Sequence, residues 1–356
     1  MIAIDARLCG TQNTGDSVHW NGILAGLNEL NLAATFLLFV NHEPAPTVPL
    51  GPDFRVVRVP ARNSRWWSLW TFPMAARRMG AQVLHTQYSL SPLARGGVST
   101  IHDMSVFAGP EWFLPRDRMI LQRSIPAAVR TAKAVVAVSH TSLAELEKYV
   151  PGAGAKTSVV YNALPVGFRP IPREEAKRIV ADKLGITEPF LLTVGTRWPR
   201  KNMALAIQAF TLSERAQHLV VTGKAGWGEE NIPPRTTVTG YVPDELMPAL
   251  YAAADLYLAP SRYEGFGIPL LEAWACDCPV LCSAGPGFPE VAGDAAAIEP
   301  SWEARDWAAR IDTLLADSGT VQALRERGRA RLAEFSWRTS AQVLWETYER
   351  VIRAQA

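Results

Sequence analysis

The chain has little of what would mark it as secreted, membrane-spanning or nucleic-acid-binding. Only 4 of its 356 residues are cysteine, three of them crowded between Cys276 and Cys282. That pattern does not make a disulfide framework and points to a reducing compartment. Net charge is almost absent. The 36 Lys and Arg residues stand against 34 Asp and Glu, leaving +2, without the basic excess of a nucleic-acid binder. The longest apolar stretch, Leu32–Val40, is too short to cross a bilayer. The opening residues, MIAIDARLCG, lack the basic-then-apolar pattern of a secretion signal, so a cytoplasmic protein is expected. No Gly-x-Gly-x-x-Gly occurs, which counts against a dinucleotide oxidoreductase. There is no internal repeat and no low-complexity tract. At 20% charged and 48% hydrophobic residues, the composition is that of a folded protein, not a disordered one.

What is present is a series of short apolar runs, each followed by a helix-like stretch. In the first half they are Ile2–Ile4, Thr35–Val40, Phe54–Val59, Val83–His85, Ser99–His102, Ala134–Val138 and Ser158–Tyr161. In the second half they are Phe190–Val194, His218–Thr222, Thr237–Val242, Asp255–Ala259, Pro279–Cys282 and Ala295–Ile298. Runs rich in Val, Leu and Ile without polar alternation suit parallel strands buried on both faces. Their alternation with helices predicts an α/β protein of βαβ units in doubly wound sheets. The length suits two domains, and the Pro-rich segment Pro165–Pro172 (PVGFRPIP) reads as the linker. The last segment, Ser340–Ala356, is amphipathic, with Val343, Leu344, Tyr348, Val351 and Ile352 at helical spacing. Two Rossmann-like domains facing each other across a deep cleft are expected. Ligands then bind beyond the carboxyl ends of the strands.

Two constellations at predicted strand ends carry chemistry. In Asp255–Glu290 a strand ends in a polar turn holding Glu264, followed by Gly265–Phe266–Gly267–Ile268 and a helix opened by Pro269. The glycines allow close backbone approach to a ligand, and the N–H groups of the helix start can receive a diphosphate. Glu272 is expected in the first turn of that helix, eight residues after Glu264. The two carboxylates would flank the loop and accept from hydroxyls at two ends of a nucleotide sugar. Alternatively, Glu264 is a turn residue and Glu272 a carboxylate favoured by the helix dipole. In the second constellation, Val194–Asn202 (VGTRWPRKN), a strand ends at Gly195 and a helix is expected to begin near Lys201–Asn202. Adjacent cations there oppose the dipole and make sense if the site receives phosphate. The alternative is a solvated basic turn.

With these stretches in order, the chain resembles the retaining glycosyltransferases of family 4, which have the GT-B fold, and among them bacterial mannosyltransferase-like group 1 enzymes. GYVPDELMPALYAAADLYLAPSRYEGFGIPLLEAWACDCPV, FPEVAGDAAAIEP and VGTRWPRKN resemble the family's C-terminal domain. IHDMSVFAGPEWF, AVVAVSHTSLAEL and VVYNALPVGFRP resemble its N-terminal domain. The resemblance implies an acceptor domain over residues 1–165 and a nucleotide-sugar donor domain over 166–339, with the last helix, about 340–356, packing back on the first. It implies that Glu264 and Glu272 form a Glu-x7-Glu pair, with Glu264 near the transferred sugar and Glu272 holding the ribose. Arg200 and Lys201 would bind the donor diphosphate and stabilise the leaving group. The backbone of Gly265, Phe266, Gly267 and Ile268 would contact sugar and phosphate, and the loop at Tyr241 and Val242 would face the base. His102, ending a strand in an IHD motif, would line the site near the sugar, with Asp103 a structural neighbour. Gly15 would lie in a loop facing donor phosphate. The chain departs from the pattern there, since Ser17 replaces a glycine, and also at Ala163 and Thr196.

The function so implied is a retaining, metal-independent transfer of a hexose, with mannose from GDP-mannose as first choice, to a glycan or lipid-linked glycan. The sequence has no Asp-x-Asp, the usual metal-binding motif of the other major glycosyltransferase architecture. No cofactor and no metal are expected. Cys276, Cys278 and Cys282 are expected to be core thiols rather than zinc ligands. A non-enzymatic alternative is a sugar-nucleotide-binding or scaffold protein of a polysaccharide assembly complex. Residues 1–165 carry 15 basic and 10 acidic residues, and Arg62–Arg78 mixes four arginines with Trp66, Trp67, Trp70 and Phe72. Such a segment suits peripheral contact with the anionic inner face of the cytoplasmic membrane. The alternative is that its tryptophans pack inward.

Overall fold

The computed structural model describes residues 1–356 apart from 11–13, 42–49, 95, 227–231 and 356. The chain divides into two compact units. The first is Met1–Val166 together with Phe335–Ala356, and the second is Gly167–Glu334. The chain leaves the first unit inside the Pro-rich segment and rejoins it at Phe335, earlier than residue 340.

The first unit holds seven strands: β1 (Ile2–Asp5), β2 (Phe36–Val40), β3 (Phe54–Arg58), β4 (Val83–Gln87), β5 (Gly97–Ile101), β6 (Ala134–Ala137) and β7 (Thr157–Val159). Their order is β3-β2-β1-β4-β5-β6-β7, every pairing parallel. Each falls on one of the seven apolar runs. β2, FLLFV, is buried at all five positions, as a strand covered on both faces must be. β3 lies at the edge, and Arg55, Val56 and Arg58 are accordingly exposed. On one face Trp67, Phe72, Leu84, Ile101, Ile125 and Val129 form a core.

The helix Trp337–Arg353 closes the same unit by packing along the helix Gly15–Glu29. Two glycines permit the approach. A Cβ on Gly22 would fall 2.0 Å from the Trp337 indole, and one on Gly26 would fall 2.2 Å from the Trp337 carbonyl oxygen. Trp337 Nε1 donates to the Leu164 carbonyl at 2.7 Å, and Ser340 Oγ donates to that of Tyr161 at 2.7 Å. Leu344, Tyr348 and Val351 are buried, and the Tyr348 hydroxyl lies 2.6 Å from His85 Nδ1. Burial of each large apolar side chain contributes about 1.5–3 kcal/mol, so the unit depends on residues far along the chain.

The second unit holds β8 (Phe190–Val194), β9 (His218–Thr222), β10 (Thr236–Gly240), β11 (Leu256–Ala259), β12 (Val280–Ser283) and β13 (Ala297–Glu299). Their order is β10-β9-β8-β11-β12-β13, again all parallel. The core holds Leu191, Phe210, Leu219, Leu256, Trp307 and Ile311. In each sheet the order reverses once, between β1 and β4 and between β8 and β11. Side chains just beyond the carboxyl ends of these strands occupy the switch point where ligands bind in such sheets.

Candidate active site

In the second unit, the loop after β8 begins at Gly195, whose φ of 138° suits glycine alone. It passes very close to the loop after β9. A Cβ on Gly223 would lie 2.0 Å from the Gly195 carbonyl oxygen, and one on Gly226 would lie 1.8 Å from that of Arg197. Pro199 then opens a 3₁₀ turn, Pro199–Lys201, which ends at Asn202 in the left-handed conformation with φ of 51°. The α-helix starts only at Met203. This corrects the expectation of a helix beginning at Lys201–Asn202: a left-handed residue breaks the ladder there. Arg200 and Lys201 sit on the turn ahead of the helix.

The turn carries both cations onto one carboxylate. Arg200 Nη1 donates to the Tyr263 carbonyl at 2.6 Å and to Glu264 Oε2 at 3.1 Å. Lys201 Nζ donates to Glu264 Oε1 at 2.7 Å. The three side chains are 10–17% exposed. Burial by itself would raise the Glu264 carboxyl, but the Lys201 ammonium and the Arg200 guanidinium together outweigh it and hold the carboxyl at about 2. The backbone is tied as well: Arg262 N donates to the Arg200 carbonyl at 2.8 Å, and Glu264 N to that of Pro286 at 2.9 Å. Glu264 is therefore a fixed, buried anion and not a solvated turn residue.

The Gly265–Ile268 loop follows. Gly267 adopts φ of 104°, and a Cβ there would come within 2.9 Å of the Phe288 ring. The side chains of Phe266 and Ile268 are buried, so the loop offers a ligand its backbone. A second glycine loop braces it, since a Cβ on Gly287 would lie 2.3 Å from the Glu264 carbonyl oxygen. The helix runs Ile268–Ala275, beginning one residue before Pro269. Glu272 therefore stands on the second turn, not the first, where the dipole of the helix start acts weakly. Its carboxylate instead accepts a hydrogen bond from the Tyr251 hydroxyl at 2.8 Å. Burial pushes the Glu272 carboxyl up to about 7, against the pull of that hydrogen bond. Beyond β10, Gly240 turns the chain with φ of 70°, Val242 is buried, and Tyr241 is exposed with the Lys224 ammonium 5.5 Å from its ring centre. Arg200, Lys201, Glu264, Gly265, Phe266, Gly267, Ile268, Glu272, Tyr241 and Val242 thus share one unit, all on the loops, turns and helices that follow its strands.

The first unit holds the two remaining predicted residues. His102 directly follows β5, is buried, and its Nε2 lies 3.7 Å from Asp16 Oδ1. Its ring packs edge-to-face on His19, with centres 4.9 Å apart. His19, which the sequence did not single out, is fully buried, and its Nδ1 lies 2.8 Å from Asn162 Oδ1, an acceptor, so Nδ1 carries the proton. Burial lowers His19 to about 3 and His102 to about 4, leaving both neutral at pH 7. Gly15 opens the helix Gly15–Glu29, with open space where a Cβ would stand. Ser17 completes a capping box with Thr14, accepting from Thr14 N at 2.7 Å while Thr14 Oγ1 accepts from Ser17 N at 3.3 Å. The hydroxyl that replaces a glycine thus closes the helix start. Asp103 accepts from Ser105 N at 2.9 Å, a structural role.

The other marked residues separate clearly. Cys276, Cys278 and Cys282 are free and buried in the second unit, and burial pushes the Cys278 and Cys282 thiols up to about 12. Of the three clustered tryptophans, Trp67 is buried, with the Arg7 guanidinium 5.2 Å from its ring centre, whereas Trp66 and Trp70 are 53% and 48% exposed. No helix among the described residues is long and apolar enough to cross a membrane.

Two Rossmann-like units in series, with part-buried cations and a Glu-x7-Glu pair after the strands of the second, define the class of GT-B glycosyltransferases. Residues 19–167 match Glycosyltransferase Family 4 and residues 177–331 match Glycosyl transferases group 1. The chain belongs to this glycosyltransferase family. The O-antigen chain mannosyltransferase B of Escherichia coli is 34% identical over 256 residues, covering 67% of this chain and 66% of that protein. The chain spans about a third of the longer curated mannosyltransferases that it also matches. Among solved structures, sucrose-phosphate synthase from Thermosynechococcus elongatus superposes with a TM-score of 0.76 at 21% identity, over 99% of both chains. Anabaena Alr3699/HepE in complex with UDP and glucose does so with a TM-score of 0.73 at 17% identity, over 98% of this chain and 99% of that one. At these identities, the structural likeness speaks for the fold.

Proposed function

We propose that the chain is a retaining, metal-independent hexosyltransferase that takes mannose from GDP-mannose and passes it to a glycan or lipid-linked glycan. The observation that carries this reading is the Arg200–Glu264–Lys201 cluster beyond the carboxyl ends of β8 and β11, its cations part-buried around a buried carboxylate. Breaking a sugar–phosphate bond leaves a nucleoside diphosphate, and two fixed, nearly dry cations stabilise that charge without reorganisation. Tyr263 and the backbone ties around Arg200 keep the guanidinium in place. Glu272 would hold the ribose, and the glycine loop would admit the phosphates to its backbone. His102, neutral at pH 7, would offer a hydrogen bond to the transferred sugar rather than a charge.

The choice of mannose follows the mannosyltransferase relatives of this chain. The membrane-linked acceptor is supported by the exposed Trp66 and Trp70, flanked by the exposed Arg62 and Arg65. Flotation with vesicles of anionic and of neutral lipid tests this part. Failure to float with either removes the membrane contact.

Purified protein incubated with GDP-mannose, UDP-glucose and other nucleotide sugars, with and without EDTA, tests the reaction. The expected outcome is EDTA-insensitive donor turnover and an acceptor product whose anomeric configuration, read by NMR, matches that of the donor. An inverted product removes the retaining assignment. Nucleotide binding without turnover across a wide acceptor panel would favour the sugar-nucleotide-binding or scaffold alternative.

A further inference from the structure

We propose that Tyr251 is a positioning residue for donor recognition: its hydroxyl anchors one oxygen of Glu272 so that the other is presented to a ribose hydroxyl. This rests on Glu272 being the ribose-binding carboxylate.

The geometry is specific to a device of this kind. Tyr251 belongs to the helix Met247–Ala253, a different element from the one that carries Glu272. It is fully buried, and its ring meets Tyr257 of β11 edge-on with centres 5.4 Å apart. A phenol so wedged has one direction in which to donate, and it donates to Glu272 Oε2 at 2.8 Å. Glu272 is only partly buried. An unanchored glutamate at that place has several rotamers, and fixing one oxygen selects among them.

The charge state points the same way. Burial favours the protonated carboxyl, and the Asp244 carboxylate adds to that. The Tyr251 hydroxyl and the Lys201 ammonium favour the ionised form. The other groups facing Glu272 are the Tyr257 phenol and, just past the end of its own helix, the Cys276 thiol, both neutral at pH 7. A hydroxyl donor stabilises a carboxylate more than a carboxylic acid. Without it the carboxyl stays protonated to higher pH and is a poorer acceptor for ribose.

Tyr251→Phe keeps the ring and its packing. Affinities for GDP and UDP, each beside its 2′,3′-dideoxy analogue, are measured by calorimetry between about pH 6 and 9 for wild type, Tyr251→Phe and Glu272→Gln, with melting curves as a check on folding. Wild type is expected to prefer the ribonucleotide, since a site built to bond a hydroxyl rejects the analogue that lacks it. Tyr251→Phe is expected to lose about tenfold for the ribonucleotide at pH 7, nothing for the dideoxy analogue, and much less at pH 9. In Glu272→Gln the preference should be weak and no longer vary with pH. Unchanged binding in Tyr251→Phe, or an equal loss for both analogues at every pH, overturns the role of Tyr251 while leaving the ribose assignment standing. Absence of ribose preference in wild type refutes the Glu272 assignment itself, and the proposal with it.

Discussion

Glu264, Arg200 and Lys201 are each costly to bury alone and are stable only as a set. Removing one cation leaves the carboxylate under-compensated, a change that costs about 3–5 kcal/mol at buried pairs. Lys201→Ala is therefore expected to lower stability by roughly that amount in urea unfolding. On the reading of Lys201 as a leaving-group cation, it also slows transfer by about 100- to 1,000-fold. Acidification acts on the same set. The Glu264 carboxyl is depressed from 4.5 to about 2 in the folded chain, so its contribution is present at neutral pH and is lost as pH falls from 4.5 towards 2. Glu272 has the opposite sign. Its carboxyl is raised from 4.5 to about 7, so the folded state favours its proton, and the residue becomes destabilising as pH rises through that window. Glu272→Gln should consequently raise the melting temperature at pH 8 but not at pH 4. Equal shifts at both would contradict a carboxyl raised in the folded state. Glu264 and Glu272 were visible in the sequence because their spacing around a glycine loop is local. Tyr251, His19 and Asn162 were not, because their partners lie 21 to 143 residues away and no local pattern announces a long-range hydrogen bond.

At the scale of elements, the central strands were readable because one buried on both faces is written as an unbroken apolar run; β2 and β12 have no polar alternation to disguise them. Helix starts were less legible. The helix after β8 begins past Lys201–Asn202 because Asn202 takes a left-handed turn, and the helix after β11 begins one residue before Pro269. Both shifts are set by backbone conformations that side-chain periodicity does not encode. The glycine contacts between elements give two expectations. Gly267→Ala places a Cβ against Phe288 at a φ few side chains adopt, and should cost about 1–3 kcal/mol and, on the reading of this loop as a phosphate site, weaken nucleotide binding. Gly22→Val drives into the Trp337 indole and should lower stability by at least about 1–3 kcal/mol. Thermal melts of Gly22→Val, Trp337→Ala and the double variant form a cycle. The double variant is expected to be more stable than the sum of the single losses predicts, because the indole that is struck is gone.

The whole molecule is one compact unit inserted into the chain of another. The inserted segment, Gly167–Glu334, is continuous, has its own sheet and core, and should fold when expressed alone, with protease resistance and a cooperative melt as the readouts. The first unit is discontinuous. A chain ending at Glu334 lacks Leu344, Tyr348 and Val351 and leaves the Gly22–Gly26 face uncovered, so it should show rapid cleavage within residues 1–166. The helix that runs back from Trp337 has a further consequence in time. During synthesis the ribosome delivers the seven strands of the first sheet early and their closing helix last, after the whole second unit has emerged. The first unit must wait, part-built and with His85 and the Gly22–Gly26 face lacking the cover of that helix, for nearly half the chain to be made. A chaperone that recognises apolar surface should accordingly bind nascent chains of this protein through their amino-terminal half, and let go only once the helix Trp337–Arg353 has cleared the exit tunnel.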